Sequence, residues 1–202
     1  MRTSSFALGF LLSSLAAGVG CAPHAQYSEA FYAEAARSDP RRRPYEIGVA
    51  DVVRITVWKD PNLSTDAAVR PDGTITMPLA GEFHASGRTA AQLQSEIAAR
   101  LAGYVKDAVV TVSIVEVNSY RFTVAGNVEH PGMFTSRYYV TLSEALALAG
   151  GPNRYASTSD IVLVRSNGGR PQRVGINYDK ILSGERPDED VVVLAGDAIQ
   201  VP

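Results

Sequence analysis

Between Tyr45 and Pro202 the apolar positions alternate, then fall at helical spacing, then alternate again, and this succession occurs twice. In the stretch from Tyr45 to Trp58, Gly48 and Asp51 mark a turn. Val53, Ile55 and Val57 then share one face of an extended segment, the period of a half-buried strand. Val69 to Pro78 places Asp72-Gly73 between extended arms. That pair adopts the positive φ angles of a tight turn and predicts a hairpin. Thr89 and Gln92 are spaced as a capping box ahead of Leu93, Ile97 and Leu101, and Gly103 stands where the resulting helix should stop. From Ala108 to Val117, Val110, Val112 and Ile114 oppose Thr111 and Ser113, which predicts another strand. The first unit, residues 45–117, is expected to run strand, hairpin, helix, strand.

The second unit, residues 118–202, begins with strand-like Tyr120 to Ala125. A turn follows that holds Gly126, Pro131 and Gly132, and Phe134 to Val140 is aromatic and β-branched, so a second hairpin is expected. Thr141 and Glu144 form another capping box, Leu142, Ala145, Leu146 and Ala149 lie on one helical face, and Gly150-Gly151-Pro152 stops the helix. Strand-like Asp160 to Arg165 and Val191 to Leu194 follow, and Gly196-Asp197 precedes the last apolar residues. The two units share an order of elements without a fixed repeat period, which indicates two small α+β domains rather than a solenoid.

Residues 22–44 lack this periodicity. They close with Pro40 and Pro44 bracketing three arginines, and are expected to form a solvated tether. Ahead of them Arg2 precedes an apolar run, Phe6 to Ala17, too short to span a bilayer as a helix and suited to an export signal. The run ends in small residues immediately before Cys21, as in bacterial lipoprotein signals. Residues 1–20 are therefore expected to be removed, with Cys21 acylated as the first residue of the mature chain; ordinary cleavage leaving a free thiol is the alternative. Multiple acylation would give a lasting attachment to the outer membrane, facing the periplasm.

The formal net charge of −2 provides no long-range field to gather a polyanion, so nucleic acid is not an expected partner. A single cysteine excludes an intrachain disulfide and a Cys-rich zinc site. His24, His84 and His130 are scattered, and neither a zinc helix, a Gly-x-Ser-x-Gly elbow nor a phosphate loop occurs. No catalytic, cofactor or metal residue is expected. Asp188-Glu189-Asp190 is best taken as a solvated loop. Tyr138, Tyr139 and Tyr155 are candidates for sugar stacking or subunit contact, with ordinary packing as the plainer assignment.

The phrases YEIGVADVVRITVW and VRPDGTITMPLAGEF with the Thr89 helix resemble the polysaccharide export domain of Wza-type outer-membrane exporters. FTVAGNVEHPGMF, TLSEALALAGG and LAGDAIQVP resemble their SLBB module, a β-grasp domain. Ala50 stands where that family has Gly before Asp51. The resemblance implies that residues 45–60 can pair into the second domain. It further implies that the chain forms a homo-oligomeric ring with polysaccharide as cargo, and that an inner-membrane polysaccharide co-polymerase is a partner. Gly73, Gly126, Gly132 and Gly196 with Pro71 and Pro131 are expected to fix turns rather than touch sugar. Longer members continue into a further SLBB module and a membrane-crossing helix, whereas this sequence ends at Pro202, so a separate integral β-barrel is expected to supply the pore. The alternative is a periplasmic carbohydrate-binding or scaffolding module that lines no channel.

Overall fold

The computed structural model describes residues 28–105, 108–166, 169 and 171–202; the apolar leader, Cys21 and His24 lie outside them. Helix α1 (Glu29–Arg37) opens this region, and it overturns the tether expected over 22–44. The Ser28 hydroxyl caps it by accepting the Phe31 N–H, and Glu29 and Arg37 sit at the ends that the helix dipole favours for their charges. Phe31 and Tyr32 are buried in the core of the second unit. After α1, Asp39 caps a single 3-10 turn, Pro40–Arg42, by accepting the Arg41 N–H at 2.9 Å and binding the Arg41 guanidinium. Proline at the start of that turn costs nothing, because its missing N–H would have had no partner there.

The first unit holds strands β1 (Val52–Val57), β2 (Thr65–Ala68), β3 (Thr74–Met77) and β4 (Gly81–His84), helix α2 (Ala90–Leu101) and strand β5 (Val110–Glu116). Antiparallel β2, β1 and β5 form one sheet in that order. Val53, Ile55 and Val57 point inward from β1, and Leu93, Ile97 and Leu101 meet them in one core. The Thr89–Gln92 capping box is present at the start of α2. Strand β1 pairs within this sheet, so residues 45–60 do not pair into the second domain, and the implied exchange is corrected.

The Asp72-Gly73 hairpin is corrected in extent: beyond the turn itself, its arms are joined by the Arg70 N–H donating to the Thr74 carbonyl at 2.9 Å. Gly73 has a φ of 80° and donates its N–H to the Arg70 carbonyl at 2.8 Å, so a tight turn forms there. Its arms diverge into different sheets, however, because β2 pairs with β1 whereas β3 pairs with β4. The hairpin runs instead through Pro78, Leu79 and Ala80, with Leu79 at a φ of 64°.

The second unit contains β6 (Arg121–Gly126), β7 (Gly132–Thr135), α3 (Leu142–Leu148), β8 (Ile161–Arg165), β9 (Gln172–Ile176), α4 (Tyr178–Leu182) and β10 (Ala198–Val201). Its sheet has the order β7-β6-β10-β8-β9, with β10 parallel to β6 and antiparallel to β8. Leu142, Ala145 and Leu146 of α3 pack with Phe122, Leu163 and Ile199 in the second core, the mixed sheet and covering helix of a β-grasp. The strand expected over Phe134 to Val140 is confined to β7, since only residues up to Thr135 find partners on β6. Val191 to Leu194 makes a single bridge, Thr141 to Val192, rather than a strand. Two separate cores, one α+β unit around each, are thus the architecture.

Candidate functional site at the junction of the two units

Two buried aspartates, each at the entry to a strand, organise the polar interior. Asp51 is fully buried ahead of β1. Its carboxylate accepts the N–H groups of Gly48, Asn118 and Ser119 at 2.8 Å each and the Tyr45 hydroxyl at 2.7 Å. Such a set of donors offsets the cost of taking a carboxylate out of water. Burial pushes the Tyr45 hydroxyl well above the ordinary tyrosine range, so it remains a neutral donor. Tyr45 also meets the Ser119 hydroxyl at 2.9 Å, and its ring lies 6.4 Å from that of Tyr139. Tyr139 packs edge-on to Tyr120 at 5.0 Å, and Tyr120 belongs to the second core. A line of contacts therefore runs from β1 of the first unit into the second.

Asp197, ahead of β10, has the same construction. Its carboxylate accepts the Leu194 N–H at 2.7 Å, as Asp51 does from Gly48 three residues earlier. In both turns the aspartate N–H returns to the carbonyl of that same residue, at 3.3 Å for Asp51 and 3.1 Å for Asp197. In both, the preceding residue is left-handed, Ala50 at a φ of 76° and Gly196 at 84°. Glycine adopts this angle freely and alanine does not, so the first turn holds strain that the second lacks. What distinguishes Asp197 is an ion pair with Arg165, whose guanidinium reaches it at 2.6 Å with both side chains buried. Arg165 also donates to the Val192 carbonyl at 2.8 Å and lies 5.3 Å from the Phe31 ring, so α1 closes over the pair.

The remaining turn residues divide between surface and core. Asp72 is exposed, accepts the Thr74 N–H at 3.0 Å and pairs with Arg70 at 2.9 Å. Gly126, at a φ of 95°, lies against β10, where an added Cβ would fall 1.9 Å from the Val201 carbonyl oxygen. Gly132 begins β7 with open space around it. Gly150 and Gly151 have φ values of 82° and 84° and turn the chain out of α3. The Gly151 carbonyl accepts the Glu129 N–H at 3.1 Å and the Ala149 carbonyl the His130 N–H at 2.8 Å, which brings the turn containing Pro131 onto the end of α3.

Arg165 and Ser119 were not indicated by any motif, and Tyr45 was visible only as the first residue of the phrase YEIGVADVVRITVW. The only sequence signals of Arg165 and Ser119 are a charge ending an apolar strand and a polar residue at the seam between units. The acidic run 188–190 is not the solvated loop expected: Glu189 is buried and accepts the Asn177 N–H at 2.8 Å, Asp188 binds Arg186, and Asp190 accepts the Ser143 N–H at 2.9 Å. Among the described residues no three His, Cys, Asp or Glu side chains gather as metal ligands, and no helix is long and apolar enough to cross a membrane.

Residues 39–115 match the family described as Polysaccharide biosynthesis/export protein, and residues 121–175 match the SLBB domain. The EPS I polysaccharide export outer membrane protein EpsA of Ralstonia solanacearum is 31% identical over 182 residues, a match covering 78% of this chain and 48% of that protein. EpsA of Ralstonia nicotianae is 29% identical over 182 residues, covering 78% of this chain and 47% of its own length. The exopolysaccharide production protein ExoF of Rhizobium meliloti is 28% identical over 125 residues, covering 56% of this chain and 30% of that protein. The chain thus spans about half the length of the EpsA relatives. None of these names describes an enzyme. With an export domain followed in the same chain by an SLBB domain, the protein belongs to the polysaccharide biosynthesis/export family, as a member of two α+β domains.

Proposed function

We propose that this chain is a component of the outer-membrane machinery that exports a capsular, exo- or biofilm polysaccharide, and that it assembles into a periplasmic ring through which the polymer passes. The observation that carries this is the match to an export domain and an SLBB domain in that order, together with relatives named for polysaccharide export at the outer membrane. The Asp51 junction supports it physically. A ring subunit must present two complementary faces at a fixed angle, and a buried carboxylate bonded to backbone on both sides of the seam resists flexing there. The working parts are surfaces and a lumen rather than reacting groups.

Acylation of Cys21 would hold the protein to the outer membrane. Six residues lie between Cys21 and Ser28, and the seven steps of chain give a reach of at most about 25 Å. Because α1 is docked on the SLBB domain, that domain would stand nearest the membrane. An inner-membrane polysaccharide co-polymerase on the opposite side and a separate integral β-barrel in the outer membrane complete the proposed path. Deleting the chain tests the proposal: surface polysaccharide should disappear while polymer synthesis continues inside the cell. Retention of surface polymer at the wild-type level would refute it. Light scattering of the purified protein should give a closed oligomer, whereas a monomer that holds oligosaccharide would favour the binding-module alternative.

A further inference from the structure

We infer that the loop following α3 presents a stacking platform for a stretch of acidic polysaccharide, built on Tyr155 and Arg154 of the SLBB domain. This deepens the export proposal and rests on it for the class of ligand. Tyr155 is 67% exposed, yet the loop that carries it is tied down on several sides. Its N–H donates to the Asn153 side chain at 2.9 Å, and its carbonyl accepts the Asn127 amide at 3.3 Å. Asn153 donates its own N–H to the Asn127 carbonyl at 3.0 Å, and Ser157 donates to the Pro202 carbonyl at 2.7 Å. A ring carried on a backbone held this way has little loop freedom left to lose when a ligand lands on it, which is the condition under which tyrosine makes an effective contact.

The Arg154 guanidinium lies 4.7 Å from the centroid of that ring, a cation–π contact that covers one face. Among the described residues Arg154 pairs with no carboxylate, so its charge is available to a ligand. Among the described residues the other rings approached by a guanidinium, Phe83, Phe31 and Tyr32, are all buried. Trp58, Tyr104 and Tyr138 are as exposed as Tyr155, but no guanidinium of the described residues lies over them. Tyr155 therefore combines a free aromatic face with an adjacent unneutralised guanidinium. The apolar C–H face of one pyranose fits the first, and a carboxylate on an adjoining unit of the same polymer, passing the edge of the ring, fits the second through paired N–H donors.

The test uses the full purified chain in native gels containing polygalacturonate or, separately, neutral dextran. Wild type should be retarded by polygalacturonate and not by dextran. Tyr155→Ala and Arg154→Ala should each weaken the retardation about tenfold in apparent affinity, while Tyr155→Phe keeps it. Unfolding midpoints should be unchanged in all three. Wild type that polygalacturonate does not retard, equal retardation by dextran, or a Tyr155→Ala chain that migrates as wild type would overturn the platform. So would loss of the oligomer in Tyr155→Ala, since the residue would then be a subunit contact. In cells the two ideas separate. Export that survives deletion of the whole chain refutes the export proposal, whereas export lost on deletion but unaltered by Tyr155→Ala refutes the platform alone.

Discussion

Asp51 accepts the backbone N–H of Ser119 at 2.8 Å across 68 positions of sequence, so a side chain ahead of β1 holds the entry to the second domain. The approach is close on the opposite side too, where a Cβ added to Gly48 would lie 2.3 Å from the Ser119 Cβ. The seam between the export and SLBB domains is thus packed around one carboxylate rather than spanned by a free linker.

Replacing Asp51 with alanine should be among the most damaging changes in the chain. It removes the acceptor shared by three partly buried backbone N–H groups, and leaves the Tyr45 hydroxyl only its contact with Ser119, at a cost of about 3 kcal/mol. Urea denaturation should show the midpoint falling accordingly, and Asp51→Asn, which keeps one acceptor oxygen, should fall between alanine and wild type. A change below about 1 kcal/mol would mean the carboxylate does not hold the seam.

The neighbouring residue should respond in the opposite sense. Ala50 occupies a φ of 76°, and its counterpart in the matching turn before β10 is Gly196 at 84°. Ala50→Gly removes the steric cost of the left-handed conformation but loosens the unfolded chain, and the difference should be a gain of about 0.5 kcal/mol. Thermal unfolding of that variant should shift upward by a degree or more; a downward shift would show that the turn is not strained.

Much of this architecture was legible where the signal was local. The capping boxes at Thr89 and Thr141 form as their spacing indicates, because the atoms that make them lie within one turn of chain. The Asp72-Gly73 turn also forms, yet its residues could not reveal that β3 would choose β4 over β2, since a turn sets dihedral angles and not strand partners. Helix α1 buries only one adjacent pair, Phe31 and Tyr32, so it leaves no stripe along the sequence, and its partners lie in the second core. Strand β9 begins with Gln172-Arg173, both exposed, and buries only Val174 to Ile176, too short a run to announce a strand. At the junction, Asp51 was visible as a turn residue, but its bonds to Asn118 and Ser119 depend on the folded chain bringing them to it.

Because α1 fills part of the SLBB core, Phe31→Ala should destabilise that domain by about 3 kcal/mol. The loss includes more than a cavity, since the ring covers the Arg165 guanidinium and with it the buried pair to Asp197. Hydrogen exchange should show faster opening of β8 and β10, while amides in β1 and β5 of the export domain keep their protection. Unchanged exchange throughout would show that α1 rests on the surface without supporting it.

Alkaline pH should weaken the fold through its buried tyrosines. Burial pushes the Tyr120 hydroxyl up to about 12, where it donates to the Val193 carbonyl at 2.9 Å and accepts the Val140 N–H at 3.1 Å. In the unfolded chain the same group titrates near 10, at about the ordinary tyrosine value. A group whose folded value is the higher one contributes fully below the unfolded value, and its contribution is lost as pH rises towards the folded one. Stability measured in urea should therefore decline between about pH 10 and 12, with Tyr45 acting in the same direction. Tyr120→Phe should be less stable at neutral pH but show a shallower alkaline decline; an equal slope would assign the decline to other groups.

Gly126 and Gly132 flank one turn and look alike in the sequence, but only one of them is constrained. At Gly126 the backbone is left-handed at 95° and runs against β10, so an alanine Cβ would collide with the Val201 carbonyl oxygen, a backbone atom that cannot move without breaking the parallel pairing of β6 and β10. At Gly132 no atom lies within 4 Å of the added carbon and φ is unexceptional. Gly126→Ala should cost more than about 3 kcal/mol or prevent folding, whereas Gly132→Ala should stay within about 0.5 kcal/mol of wild type. Circular dichroism and urea denaturation of the two proteins side by side decide the matter. Equal stability would mean that β10 does not lie where its register with β6 places it, and with it the SLBB sheet order would fall.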